Sequence, residues 1–326
     1  METASIHNYT SNAYLSRIIL SAGFLLLFLH HFIFSIPQNA QWIFFVITIL
    51  VAGIPHGALD HLVAQQNSIA QNKYFSSLRF YLTYLSRMVI YGACWYLFPS
   101  IAMILFIVMS AFHFGETDIN IPLSSSNMSE RIFQIAYGLM IVFVLVFSHR
   151  EEVLPILLFL EPSTDSILFT LFQQTSILIL LSVTVVFMLL SLAWLQIKQP
   201  QSLKWYFSQF AQIGSLIVAM IFLPFPMAFA FYFGCWHSLH SLENIRRHLS
   251  GSGNNTLLIT DVLKKCIPYS VIAFTGITLL ALVANYTGNK YLLLFIFFVG
   301  IAILTAPHLE VMSTMYTQVR KKDHHR

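Results

Sequence analysis

Along the chain, runs of about 20 apolar residues, the length needed to cross a bilayer as helix, alternate with short polar breaks. The pattern predicts spans near 16–36, 41–65, 78–98, 100–116, 131–148, 174–197, 204–223, 225–248, 266–286 and 291–315. The expected fold is therefore all-α, a polytopic transmembrane helical bundle of about ten spans, within a range of 8–10. The fourth span is short, as suits a helix that ends inside protein. Residues 152–162, EVLPILLFLEP, are apolar but too short to cross, and read as a re-entrant or interfacial piece. Pro37, Pro99, Pro224 and Pro226 fall in tight connections, where a missing N–H does least harm. The sizeable exposed loops are expected at 118–130 and 249–261. No repeat or soluble domain interrupts the pattern. Residues 1–326 read as one integral membrane domain, with polar cytoplasmic tails at 1–15 and 316–326.

Composition agrees: 57% of the 326 residues are hydrophobic and 9% charged, against about 25% charged in soluble domains. The net charge of +4 is small, and its placement is more informative. With both termini cytoplasmic, Arg150 and Lys290 fall outside and Arg87 lies within a span, leaving fourteen of the 17 Lys and Arg inside. That positive-inside bias fits an even number of spans in the cell inner (plasma) membrane. Basic residues cluster at span ends and form no stripe, so nucleic acid is not an expected partner. The N-terminus lacks a basic region followed by a short apolar one and a cleavage site. No signal peptide is expected, and the first span itself would direct insertion. Cys94, Cys235 and Cys266 are odd in number and lack a CxxC pattern, and read as small packing residues.

Four spans carry chemistry where lipid-facing positions would want leucine: GIPHGALDHL at 53–62, AFHFGETD at 111–118, CWHSLHSLEN at 235–244 and APHLEV at 306–311. Ionisable groups inside a span are costly and mark a functional interior. In the topology above, these four spans run in the same direction. His56 stands 15 residues into its span, His113 13, His237 12 and His308 17. At about 1.5 Å per residue, the four share a layer roughly 8 Å thick in the cytoplasmic half. Imidazoles from separate helices at one level are what an intramembrane metal site requires. Imidazole suits iron, copper, zinc and nickel, and a cage of neutral imidazoles leaves the ion's charge uncompensated, favouring a redox metal that binds dioxygen. Asp60, Glu116, Glu243 and Glu310 follow their histidines closely and are candidates to hold the second ring nitrogen, or else cap span ends. Pro55 and Pro307 disturb the helix just before two of the histidines, while Gly57 and Gly115 would permit close helix approach. His30 and His31 read as hydrogen-bonded between helices. His7, His149, His248, His324 and His325 read as solvated, and His61 as a secondary candidate. Phe112, Phe114, Tyr232, Phe233 and Trp236 flank the histidines, either as core or as the lining of a channel for a long apolar substrate.

The set PHGALDH, FHFGETD, WHSLHSL and TAPH, in that order on a polytopic chain, resembles the Brp/Blh family of β-carotene 15,15′-dioxygenases, from about residue 50 to 310. The resemblance implies an iron(II) enzyme, with Fe(2+) as cofactor. Such an enzyme uses O2 to split the central double bond of β-carotene, or a related carotenoid drawn from the lipid bilayer, into two all-trans-retinal. A retinal-binding rhodopsin is a conceivable receiver of the product. By resemblance His56, His113 and His237 are the catalytic, iron-holding histidines. One departure stands out: the family usually has another histidine four residues after His237, and here that position is Ser241. The fourth ligand is then His240, His308 or both. Two other classes compete. A histidine-iron membrane desaturase or hydroxylase usually shows adjacent histidine pairs on cytosolic segments, but His30–His31 and His324–His325 are unsuitably placed. A metal or proton-coupled transporter often shows internal repeats.

Overall fold

The computed structural model describes residues 2–119, 121, 128–158, 167–250, 257–286 and 290–324, and the regular structure among them is all helical. In chain order, α1 is Glu2–Phe28, α2 Gln38–Thr48, α3 Ile54–Gly57, α4 Asp60–Ala70 and α5 Ser77–Leu97. They are followed by α6 Pro99–Asp118, α7 Met128–Ser148, α8 Arg150–Leu158, α9 Ile167–Leu171 and α10 Gln174–Lys198. The last are α11 Leu203–Phe222, α12 Phe225–Phe229, α13 Ser238–Ser250, α14 Ile259–Tyr286 and α15 Lys290–His324. Helix occupies every segment expected to span.

Seven stretches among the described residues are long and apolar enough to cross a membrane: Ala13–Ile33, Gln38–Ala70, Pro99–Asp118, Met128–Ser148, Gln174–Lys198, Leu203–Phe222 and Phe298–Val319. The expected spans at 78–98, 225–248 and 266–286 are helical but not among them. Ser, Thr, Tyr and two arginines dilute α5, and Glu243, Arg246 and Arg247 make α13 polar. α1 and α15 run as helix into the stretches read as polar tails. The start of the expected re-entrant piece is α8. Its residues 159–162, and residues 120, 122–127 and 251–256 of the two expected loops, lie outside the described residues.

Helix starts follow local chemistry. Pro37 precedes α2, Pro99 opens α6 and Pro224 precedes α12, where a fixed φ is pre-set for helix and no N–H is wanted. The Ser76 and Ser202 hydroxyls accept from the backbone N–H of Arg79 and Trp205 and cap α5 and α11. Three helices widen into π turns, at Leu29–Ile33, Ile49–Gly53 and Ala230–His237. Such turns often mark functional positions.

The burial pattern is consistent with a bundle that crosses a membrane. Outer faces keep Val89, Val183, Leu190 and Ile272 exposed, while the interior holds His56, Asp60, His113, Asp118, His237 and His308. Around this polar layer lie apolar clusters. One is built on Phe133, Tyr137, Leu216 and Trp236, a second on Leu59, Val63, Ile245 and Met312, and a third on Tyr91, Trp95 and Ala102. α6 and α7 meet backbone to backbone at Gly115 and Gly138. Gly57, in contrast to the expectation of a close approach there, faces open space.

Candidate metal centre

Each of the four layer histidines is delivered by a different local device. α2 widens at Ile49–Gly53, where the Ile54 N–H donates to Ile49 O five residues back. Pro55 then offers no N–H to resume the ladder, and His56 follows on the one-turn helix α3. His237 closes the π segment after α12. There the Ser238 N–H reaches Phe233 O, and the Ser238 hydroxyl donates to the same oxygen at 2.6 Å. His308 follows Pro307 inside α15. His113 sits on the unbroken α6, whose Thr117 hydroxyl donates back to His113 O at 2.9 Å.

His56, His113 and His308 each present a ring nitrogen, and the three nitrogens lie within 4.8 Å of one another. Ring centroids are 5.1 Å apart for His56–His308 and 4.9 Å for His113–His308. His237 packs against two of them, 5.5 Å from His56 and 4.8 Å from His113. All four are buried, His237 completely. Both nitrogens of His113 and of His237, and Nε2 of His308, are buried with no hydrogen-bond partner among the described residues. Leaving such groups unsatisfied costs about 1–3 kcal/mol each, so a cluster of them calls for a ligand. Imidazole nitrogens sharing one ion at about 2.1 Å stand no more than about 4.2 Å apart. The three nitrogens, within 4.8 Å of one another, exceed that spacing by at most about 0.6 Å, and the donor set fits a metal.

The rings are held from behind. The His308 Nδ1 donates to Asp60 Oδ1 at 2.7 Å, and the Tyr84 hydroxyl donates to Asp60 Oδ2 at 2.8 Å. His56 Nδ1 donates to Ala52 O at 3.3 Å. On both rings this leaves the lone pair on Nε2, the tautomer a metal takes. His237 Nδ1 lies 3.6 Å from Asp118 Oδ1. Asp118 Oδ2 accepts from the hydroxyls of Tyr137 and Tyr232, both at 2.9 Å.

Several expected residues go elsewhere. His240 is not brought into the cluster: Nδ1 donates to Trp236 O at 2.8 Å, and Nε2 accepts from the Ser16 hydroxyl at 2.9 Å. Between His240 and His308, the structure puts His308 with the others. Asp60, expected behind His56, stands behind His308 instead. Glu243 binds Arg246 and Arg247, and Glu310 binds Arg87 at 2.6 Å. Glu116 lies beside Ser313 of α15. Asp118 was missed, because an acid at the last position of an apolar helix reads as a cap. The available signal was its place within FHFGETD, on the same helix as His113.

Among the other histidines, His149 and His248 are buried rather than solvated, and His149 Nε2 donates to Met220 O at 2.8 Å. His31 donates to Phe222 O of α11, the interhelical bond expected of it, whereas His30 accepts from the Ile36 N–H six residues on, a local bond rather than one between helices. His61 stacks on Tyr81, away from the cluster. Of the flanking aromatics, Phe114 and Phe233 wall His237 at 4.7 and 5.9 Å, and Phe233 also meets His56 at 5.9 Å. Tyr232 serves Asp118, and Trp236 packs on His240. Phe112 is half-buried.

Comparison with known proteins follows the same direction. The model of a family described as Beta-carotene 15,15′-dioxygenase matches residues 16–316. A protein of that same name from the uncultured marine bacterium 66A03 is 22% identical over 271 residues, spanning 82% of this chain and 91% of the relative. No solved structure matches the chain.

Proposed function

The chain belongs to the β-carotene 15,15′-dioxygenase family, and from that premise we propose that it cleaves β-carotene with dioxygen at the central double bond, giving two all-trans-retinal. The site is the histidine cluster, with His56, His113, His237 and His308 holding an iron(II). The observation that carries this reading is the approach of three buried ring nitrogens, from His56, His113 and His308, to within 4.8 Å of one another. Bound iron(II) would supply the redox chemistry that activates dioxygen.

The chain's own residues have three tasks. Asp60 and the Ala52 carbonyl fix ring tautomers and aim Nε2 inward. Phe114 and Phe233 present apolar faces beside the cluster, suited to a polyene. Burial of the layer excludes water. No carboxylate need act as a base in such a cleavage, which agrees with acids that sit behind the rings or in ion pairs. Substrate arrives through the bilayer, as a hydrocarbon must. The protein is a multi-pass protein of the inner (plasma) membrane with both termini cytoplasmic, and a retinal-binding rhodopsin is the natural receiver of its product.

Expression in a β-carotene-accumulating bacterium tests the proposal. The expected result is loss of orange colour with retinal in the extract. Unchanged carotene and no retinoid would overturn it.

A further inference from the structure

Beyond the four histidines, the site contains two aspartates that no lysine or arginine among the described residues pairs with. Asp60 and Asp118 are 3% and 8% exposed. Their hydrogen-bond donors are tyrosine hydroxyls, Tyr84 on Asp60 and Tyr137 with Tyr232 on Asp118, apart from the imidazole on Asp60. Three other acids differ. Glu243 is bound by Arg246 and Arg247, Glu310 by Arg87, and Asp261 lies 4.0 Å from Lys264. A tyrosine hydroxyl satisfies a lone pair without cancelling the charge, whereas an arginine does both. Burying an unpaired carboxylate costs several kcal/mol. Two of them, each against a different ring of one cluster, require a counter-charge there. The intervening rings bridge them: Asp60 Oδ1 is 2.7 Å from His308 Nδ1, and Asp118 Oδ1, with no hydrogen bond among the described residues, is 3.6 Å from His237 Nδ1.

We propose that Asp60 and Asp118 are a pair of positioning residues that together balance the two positive charges of a divalent ion, each acting through one histidine, His308 and His237 respectively. The inference rests on the cluster being the metal site. It revises the expectation of an uncompensated imidazole cage: four neutral rings and two carboxylates with a 2+ ion sum to zero, the arrangement a low-dielectric interior favours. Asp60 also orients its ring by a hydrogen bond. Asp118, at ion-pair rather than hydrogen-bond distance, acts chiefly through charge.

The test uses the full chain in detergent, stripped of metal and titrated anaerobically with Co(II) against a competing chelator, with the Co(II) absorption bands recorded. D60N and D118N remove charge and keep shape, and each is expected to weaken Co(II) binding about 10–100-fold, the double variant more than either. Y84F removes one hydroxyl and leaves Asp60 charged, so it should stay within a few-fold of the parent. D60N should also shift the absorption bands. If either aspartate variant binds like the parent, or Y84F loses as much as D60N, charge balance is overturned. If D60N does not fold, D118N, against a different ring, decides the question. A parent that binds no Co(II), or binds it equally well in H56A and H113A, would defeat the metal-site reading itself. Retained binding in the aspartate variants alone would defeat only this inference.

Discussion

Gly138 lies against the backbone of Ala111 so closely that a methyl group built on it would stand 1.8 Å from the Ala111 carbonyl oxygen. One turn along the same seam, a methyl on Gly115 would meet the Gln134 carbonyl at 2.1 Å. Neither obstacle is a flexible side chain, so α6 and α7 pack at a distance that glycine alone allows. His113 lies on α6 between these two contacts, and its reach into the cluster depends on that seam.

G138A and G115A should therefore do more harm than a methyl usually does. Overpacking costs about 1–3 kcal/mol, and here the whole helix must retreat. Thermal unfolding in detergent should show each variant less stable than the parent, with reduced iron content because His113 moves with α6. G214A is the control, since a methyl there meets nothing within 4 Å. If G138A melts and loads iron as the parent does, the seam does not position His113.

His308 and His240 should separate cleanly. H308A removes a ring whose nitrogen joins the cluster, so retinal formation and bound iron should both fall to background, as for H56A, H113A and H237A. H240A removes hydrogen bonds to Trp236 O and Ser16, worth about 0.5–1.5 kcal/mol each, and should keep its iron while melting earlier. Iron per chain, measured on both purified variants, decides it. Loss of iron in H240A with retention in H308A would reverse the assignment.

Much of this arrangement can be read from the chain before any coordinates. Span lengths place His56, His113, His237 and His308 at one depth, and the proline-histidine steps announce bent helices. Pairing of acids with rings is another matter. Residue counting puts Asp60 behind His56 because both lie in one segment. In the fold Asp60 begins a fresh helix after the break at Ala58–Leu59 and meets His308 from α15. The fate of His240 is hidden for a related reason: its Nε2 is taken by Ser16 of α1, far away in the sequence, and its Nδ1 by Trp236 O. His149 and His248 look solvated from their place near span ends, yet interhelical packing closes over them. Such long-range contacts leave no periodic trace.

The two acids held by arginines give a further prediction. Glu243 and Glu310 were candidates to support ligand rings, but their carboxylates are bound to Arg246, Arg247 and Arg87. E243Q and E310Q should keep full iron content and retinal yield. A loss of stability up to about 1 kcal/mol is expected for E310Q, whose pair is exposed, and a larger one for E243Q, whose carboxylate is mostly buried between two arginines. Iron loss in either variant would show that the carboxylate supports the cluster after all.

Metal exchange tests what the ion contributes. Imidazole ligands accept zinc about as readily as iron, so occupancy alone cannot distinguish a redox centre from a structural or Lewis-acid one. Chelation of the purified protein should abolish cleavage of β-carotene, and anaerobic addition of iron(II) should restore it. Zinc should refill the site and recover the thermal stability lost on chelation, because it satisfies the same buried nitrogens. It should restore no retinal, since zinc has no redox chemistry to offer dioxygen. Retinal formed by the zinc-loaded protein, with iron shown to be absent by elemental analysis, would remove oxygen activation at the metal from the account and leave the histidine layer only a structural or polarising role.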